Sequence, residues 1–150
     1  MECIKIHGCN ILAKSGKNIK IQRAVRVNDL SISSCSINFS EHRFTNYFDL
    51  CDIRHLSLSN LAITDLKQTI NWNLLRRLKT LDVSLNKISD VSALRAFSKI
   101  GFTLADLKLN NNKIEFNDEA LKILSSIKSL KYLNIGSQEI GNKKREYLEL

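Results

Sequence analysis

Apolar positions recur along the chain in one pattern. In Leu81-Asp82-Val83-Ser84-Leu85-Asn86-Lys87-Ile88, apolar residues occupy the first, third and eighth places and an amide the sixth; residues 107–114 repeat it. Four further copies begin at Ile4, Leu30, Leu56 and Leu133, so the six starts are 26, 26, 25, 26 and 26 residues apart. Each start is preceded three places earlier by another apolar residue, namely Met1, Val27, Ile53, Leu78, Leu104 and Leu130. Chance alternation does not hold that register. Two apolar residues flanking one polar residue put both on one face of a strand, so the pattern predicts six short strands with a common buried face. One such unit cannot bury its own apolar face. Neighbours must stack, and at about 4.8 Å per strand six make a parallel sheet on the order of 25 Å wide.

The segments between strands differ. In residues 90–100, Val91, Leu94, Phe97 and Ile100 recur at threes behind Asp90, which suits an N-cap and a helix. Residues 118–131 align Leu121, Leu124, Ile127 and Leu130 behind Asn117 or Asp118, and residues 66–78 carry helical spacing through Leu66, Ile70, Leu74 and Leu78. Residues 12–26 show no such face and are predicted to be irregular or extended, whereas Phe39, Phe44 and Phe48 are expected to fill the space under the sheet. Residues 142–150 suit a short helix capping the C-terminal end, with no equivalent before the first strand. An uncovered parallel edge is a template for association, so a partner or a second copy is expected there.

The sixth place of the pattern holds Cys9, Cys35, Leu61, Asn86, Asn112 and Gln138 in turn. Spacing and motif together resemble the leucine-rich repeat family. That resemblance implies an α/β solenoid curved as a horseshoe, about six repeats of 25–26 residues in a single domain over residues 1–150, with a parallel concave sheet and helical or irregular convex segments. It also implies that the sixth residue hydrogen-bonds neighbouring backbone, which an amide or a weakly polar thiol performs and Leu61 does not. The third turn is therefore expected to be weaker or rearranged.

Three branches of the family compete. Leu74-Leu75-Arg76-Arg77-Leu78-Lys79-Thr80-Leu81 followed by Asn86-Lys87-Ile88, with Ser129-Leu130-Lys131-Tyr132-Leu133, resembles the A-prime protein of a spliceosomal ribonucleoprotein. Cys9, Cys35 and Ile63-Thr64-Asp65 are similar to the cysteine-containing repeats of ubiquitin-ligase substrate receptors. Leu133-Asn134-Ile135-Gly136 is similar to the ribonuclease-inhibitor type. All three imply a non-catalytic binding scaffold.

Composition narrows the class. The 150 residues are 43% apolar and 25% charged, which excludes collagen-like, coiled-coil and disordered chains. The first residues carry no signal-peptide core and no run of eighteen apolar residues occurs, so an intracellular protein, cytoplasmic or nuclear and away from membranes, is expected. Without CxxC spacing the four cysteines read as thiols. His7, His42 and His55 have no nucleophile at a recognisable spacing, and no phosphate loop or HExxH occurs; an enzyme, a small-molecule substrate, a metal and a cofactor are all unexpected.

Strand alternation nominates the concave face as the partner-binding surface: Lys5, His7, Arg54, His55, Lys79, Asp82, Asp106, Lys108, Asn110, Lys131, Tyr132 and Asn134. Tyr132, Arg54 and His55 are its best anchors. The net charge of +8 favours acidic partners and is concentrated in two acid-free runs. These supply candidate phosphate contacts at Lys14, Lys17, Lys20, Arg23, Arg26, Lys67, Arg76 and Arg77, so contact with an RNA backbone is weighed beside protein binding. The reading is a small scaffold subunit of a larger assembly, ribonucleoprotein or ribosome-associated. A protein-only adaptor of the phosphatase-regulator or ubiquitin-ligase type is the alternative.

Overall fold

A computed structural model describes residues 3–7, 10–11, 25–37, 48–99 and 101–138. Its main sheet has six parallel strands: β1 (Cys3–His7), β4 (Asp29–Ser33), β7 (His55–Ser59), β8 (Thr80–Asp82), β9 (Asp106–Lys108) and β10 (Tyr132–Asn134). The short strands β2 (Asn10–Ile11), β3 (Val25–Arg26), β5 (Ser36–Ile37) and β6 (Phe48–Asp49) form two pairs, β2 with β5 and β3 with β6. Each main strand pairs with the next main strand along the chain. Ile4, Leu30, Leu56, Leu81, Leu107 and Leu133 stand opposite one another in successive pairs, so the sequence period is the sheet register.

Alternation sets what is buried. In β4 Leu30 and Ile32 point inward while Asp29, Ser31 and Ser33 face out. The inward columns continue through Leu56 and Leu58, Leu81 and Val83, and Leu107 and Leu109, all at most 2% exposed. Val27, Ile53, Leu78 and Leu104, the residues three places before each strand pattern, are fully buried. Leu133 in the last described strand is 40% exposed, β10 having one neighbouring strand among the described residues.

The segments opposite the sheet correct the helical expectations. Residues 66–78 form two 3-10 turns, Leu66–Gln68 and Trp72–Leu74, in place of one helix. Asp65 and Asn71 each accept an amide bond from the residue two places on, which starts a new turn twice in seven residues. The break shifts the buried face to Leu66, Ile70, Trp72, Leu75 and Leu78 and leaves Leu74 41% exposed. Ser92–Ser98 is likewise 3-10. Its three-residue period matches the spacing of Val91, Leu94 and Phe97, which therefore stack on one buried side. Only α1 (Asp118–Ser125) is an α-helix among the described residues, with Asn117 Oδ1 accepting the Ala120 amide as N-cap. It buries Ala120, Ile123 and Leu124, with Ile127 just beyond, so Leu121 lies at the exposed edge. Trp72, Phe97 and Phe102 pack edge to face through this layer, with centroids 6.0 and 5.7 Å apart.

The turns after β4, β8, β9 and β10 carry the second binding element of the fold. Asn86 Oδ1 accepts from the Leu61 and Ile63 amides at 3.0 and 3.1 Å, while its Nδ2 donates to the Leu58 and Val83 carbonyls. Asn112 takes the Ile88 amide and donates to Val83 and Leu109; Gln138 takes the Ile114 amide and donates to Leu109 and Ile135. Each amide thus bonds its own coil to the one before. Cys35 is buried and its thiol reaches the Ser33 carbonyl at 3.2 Å, a local version of the same role. Ser34, Asn60, Leu85, Asn111 and Ser137, one residue before the five described sixth places, all have φ between +53° and +57°. In the third turn Ala62 does so as well, at +55°, so the backbone around Leu61 departs from its neighbours.

Phe48 is half-buried against the core; Phe39 and Phe44, nearly all of residues 12–26, Cys9, and the segment 142–150 lie outside the described residues.

Candidate partner-binding face

The outward positions of the six strands make one polar surface. Because parallel strands repeat in register, residues of equal place line up across the sheet about 4.8 Å apart. The column before the first buried leucine runs Asp29, His55, Thr80, Asp106 and Tyr132, and the next runs Lys5, Ser31, Ser57, Asp82, Lys108 and Asn134. Between these columns lies a groove of about 300 Å³ crossing five strands from Lys5 to Lys108. Ser31 and Ser57 form its low centre.

Of the sequence-nominated residues, Lys5, His55, Asp82, Asp106 and Lys108 line this groove. Arg54, Lys79 and Lys131 are exposed one place earlier, on the rim, and Tyr132 is 69% exposed at the end beside Asp106. Asn110 is half-buried and Asn134 exposed, both outside the groove. His7 belongs to β1, but its side chain lies outside the description. Asp29 and Thr80 were absent from the nominated set although they stand in the same column as His55. Alternation alone was the signal for them, and their short side chains hid their importance.

Those two residues organise the floor. His55 Nδ1 bonds the Thr80 hydroxyl and its Nε2 lies 3.7 Å from Asp29 Oδ1. Asp82 Oδ1 accepts from the Ser84 amide and hydroxyl, which holds its second oxygen 3.9 Å from Lys108 Nζ. Three carboxylates, Asp29, Asp82 and Asp106, thus face two lysines in the groove. Counting carboxylates against lysines alone, the floor carries one more acidic than basic group, in a chain whose formal net charge is +8.

The basic runs look different once folded. Arg26 lies 3.6 and 3.3 Å from Asp49 and Asp52, Arg77 is 2.7 Å from Asp52, and Lys67 is 3.0 Å from Asp90. Runs that are free of acid in sequence therefore meet acids from adjacent coils. Of the candidate phosphate contacts among the described residues, Arg76 is exposed without such a pair; Lys14, Lys17, Lys20 and Arg23 lie outside the description. The Cys51 amide, followed by its thiol and by Arg26, holds the Asp49 carboxyl below the usual range, and in turn the Asp49 carboxylate raises the Cys51 thiol. Asp90 is lowered to about 2, first by the Ser92 hydroxyl and amide and then by Lys67. No group of three or more His, Cys, Asp or Glu among the described residues is arranged to hold a metal ion. No helix among them is long and apolar enough to cross a membrane.

A solved structure to which the chain is similar is an internalin (inlF) from Listeria monocytogenes, at 23% identity and a TM-score of 0.49, over 76% of this chain. The chain covers 36% of that structure's length. No protein-family model matches the chain, and no curated protein matches it.

Proposed function

We propose that the chain is a leucine-rich repeat scaffold of six coils, curved so that its open sheet face is concave, and that this face docks a partner protein. The observation that carries the reading is the groove across five parallel strands, whose floor is polar, low at Ser31 and Ser57, and preset by bonds among its own side chains. A floor already positioned loses little side-chain freedom on binding. Its scarcity of large apolar groups suits a polar, wet interface in a multi-subunit assembly. The role is binding, without chemistry on a substrate.

Between the two versions of that assembly, the charges favour the protein-only adaptor over the ribonucleoprotein component. Arg26 and Arg77, paired with Asp49 and Asp52, are less available to phosphates. A photo-crosslinking residue at Ser57, on the floor, and another at Lys122, exposed on α1, test the docking. Crosslinks to one protein from position 57 and none from position 122 are expected. Equal yields from both positions, or crosslinks mainly to RNA, would overturn it.

A further inference from the structure

We infer that the open face takes an extended segment of its partner and seats an arginine side chain of that segment over Asp106, against the ring of Tyr132. This rests on the docking proposed above and specifies its chemistry.

The floor's charges are not equally engaged. Asp29 faces His55 and Asp82 faces Lys108 and Ser84, whereas the Asp106 carboxylate has no hydrogen bond or ion pair among the described residues. It is half-buried, so an unmatched negative charge sits partly out of water at the edge of the groove. Tyr132 stands directly opposite Asp106 in the parallel register and is 69% exposed, the most exposed of the large apolar or aromatic residues described. A carboxylate beside an open aromatic face selects a planar cation. Guanidinium stacks on the ring and donates two parallel bonds to the carboxylate; an ammonium group does only part of this.

Access and length agree. In the outer column Ala105 lies between Lys79 and Lys131, so the basic rim is lowest beside Asp106. Lys108, the nearest groove lysine along that strand, is drawn toward Asp82. Five strands span about 19 Å, the reach of roughly six extended residues. The low Ser31 and Ser57 positions let a backbone pass.

A capped six-residue peptide of serine and alanine with one central arginine, and its citrulline twin, are titrated into the full chain by amide NMR. Saturable shifts centred on residues 80, 106 and 132 are expected, at least tenfold weaker with the citrulline peptide or with Asp106→Asn. Tyr132→Ala weakens binding at least threefold and Tyr132→Phe restores it. Asp106→Asn is isosteric, and an unchanged thermal midpoint verifies its fold; the exposed Tyr132→Ala provides an independent arm. Equal binding of the two peptides, indifference to Asp106→Asn, shifts centred on Asp52 or Asp90, tighter binding of a glutamate twin, or no shift at millimolar peptide overturns the inference. If that happens while position 57 still crosslinks a single protein, the arginine fails and the docking stands. Loss of both results removes the docking itself.

Discussion

Replacing Asn86 with leucine removes one complete amide link between coils while keeping side-chain size. Asn86 is 6% exposed, and its Oδ1 is the acceptor for the Leu61 and Ile63 amides. Both donors would be left inside the turn, at about 1–3 kcal/mol each for a buried group without a partner. On the donor side the Val83 carbonyl keeps its bond from Asn112, so only the Leu58 carbonyl loses its amide partner outright. The expected cost for Asn86→Leu is about 3–5 kcal/mol. A domain's whole stability is about 5–15 kcal/mol. At about 2–4 °C per kcal/mol for a chain of this length, the thermal midpoint falls by roughly 6–20 °C. Urea unfolding gives the global value. Hydrogen exchange gives the local one, with the Leu61 and Ile63 amides losing protection before those of β9. The opposite outcome has a precedent within the chain, since leucine already occupies the equivalent place at 61. A cost below about 1 kcal/mol, with both amides still protected, would refute the view that the amide ladder holds the coils in register.

Three further outcomes are expected. Leu85→Asn should raise stability by about 0.5–1 kcal/mol in thermal melts, because Leu85 is 53% exposed at φ +57° while asparagine tolerates that region and already serves at 60 and 111. Asp90 has its carboxyl lowered to about 2 from 3.8, so its contribution is present above about pH 4 and is lost as pH falls through about 2. In Asp90→Asn the fall in stability between pH 4 and 2 should be shallower than in the parent, and an unchanged slope would count against that role. Asp52→Asn releases Arg77 and leaves Arg26 with Asp49 alone, so retention on a polyanion column should increase in low salt and vanish in high salt, while stability changes by less than about 1 kcal/mol.

The sequence by itself determined the six main strands and their register, but not the short β2, β3, β5 and β6. Alternation is a property of a few neighbouring residues, and a 25–26-residue period leaves parallel stacking as the way to bury Leu30, Leu56, Leu81 and Leu107 together. It also nominated most of the open face, because side chains of a strand that do not point in must point out. The tertiary structure decided what depends on partners one coil away. Arg26, Arg77 and Lys67 belong to runs without acids, yet Asp49, Asp52 and Asp90 reach them from elsewhere in the chain. The choice of 3-10 turns over a helix at 66–78 followed from where Asp65 and Asn71 find amides to bind. The positive φ values at Leu85 and Ala62 had no signal in residue type, since the closed turn imposes them on whichever residue stands there. The net charge shows the same division. The sum of +8 is written in the sequence, but the groove floor is acidic because the register gathers Asp29, Asp82 and Asp106 from three coils onto one surface.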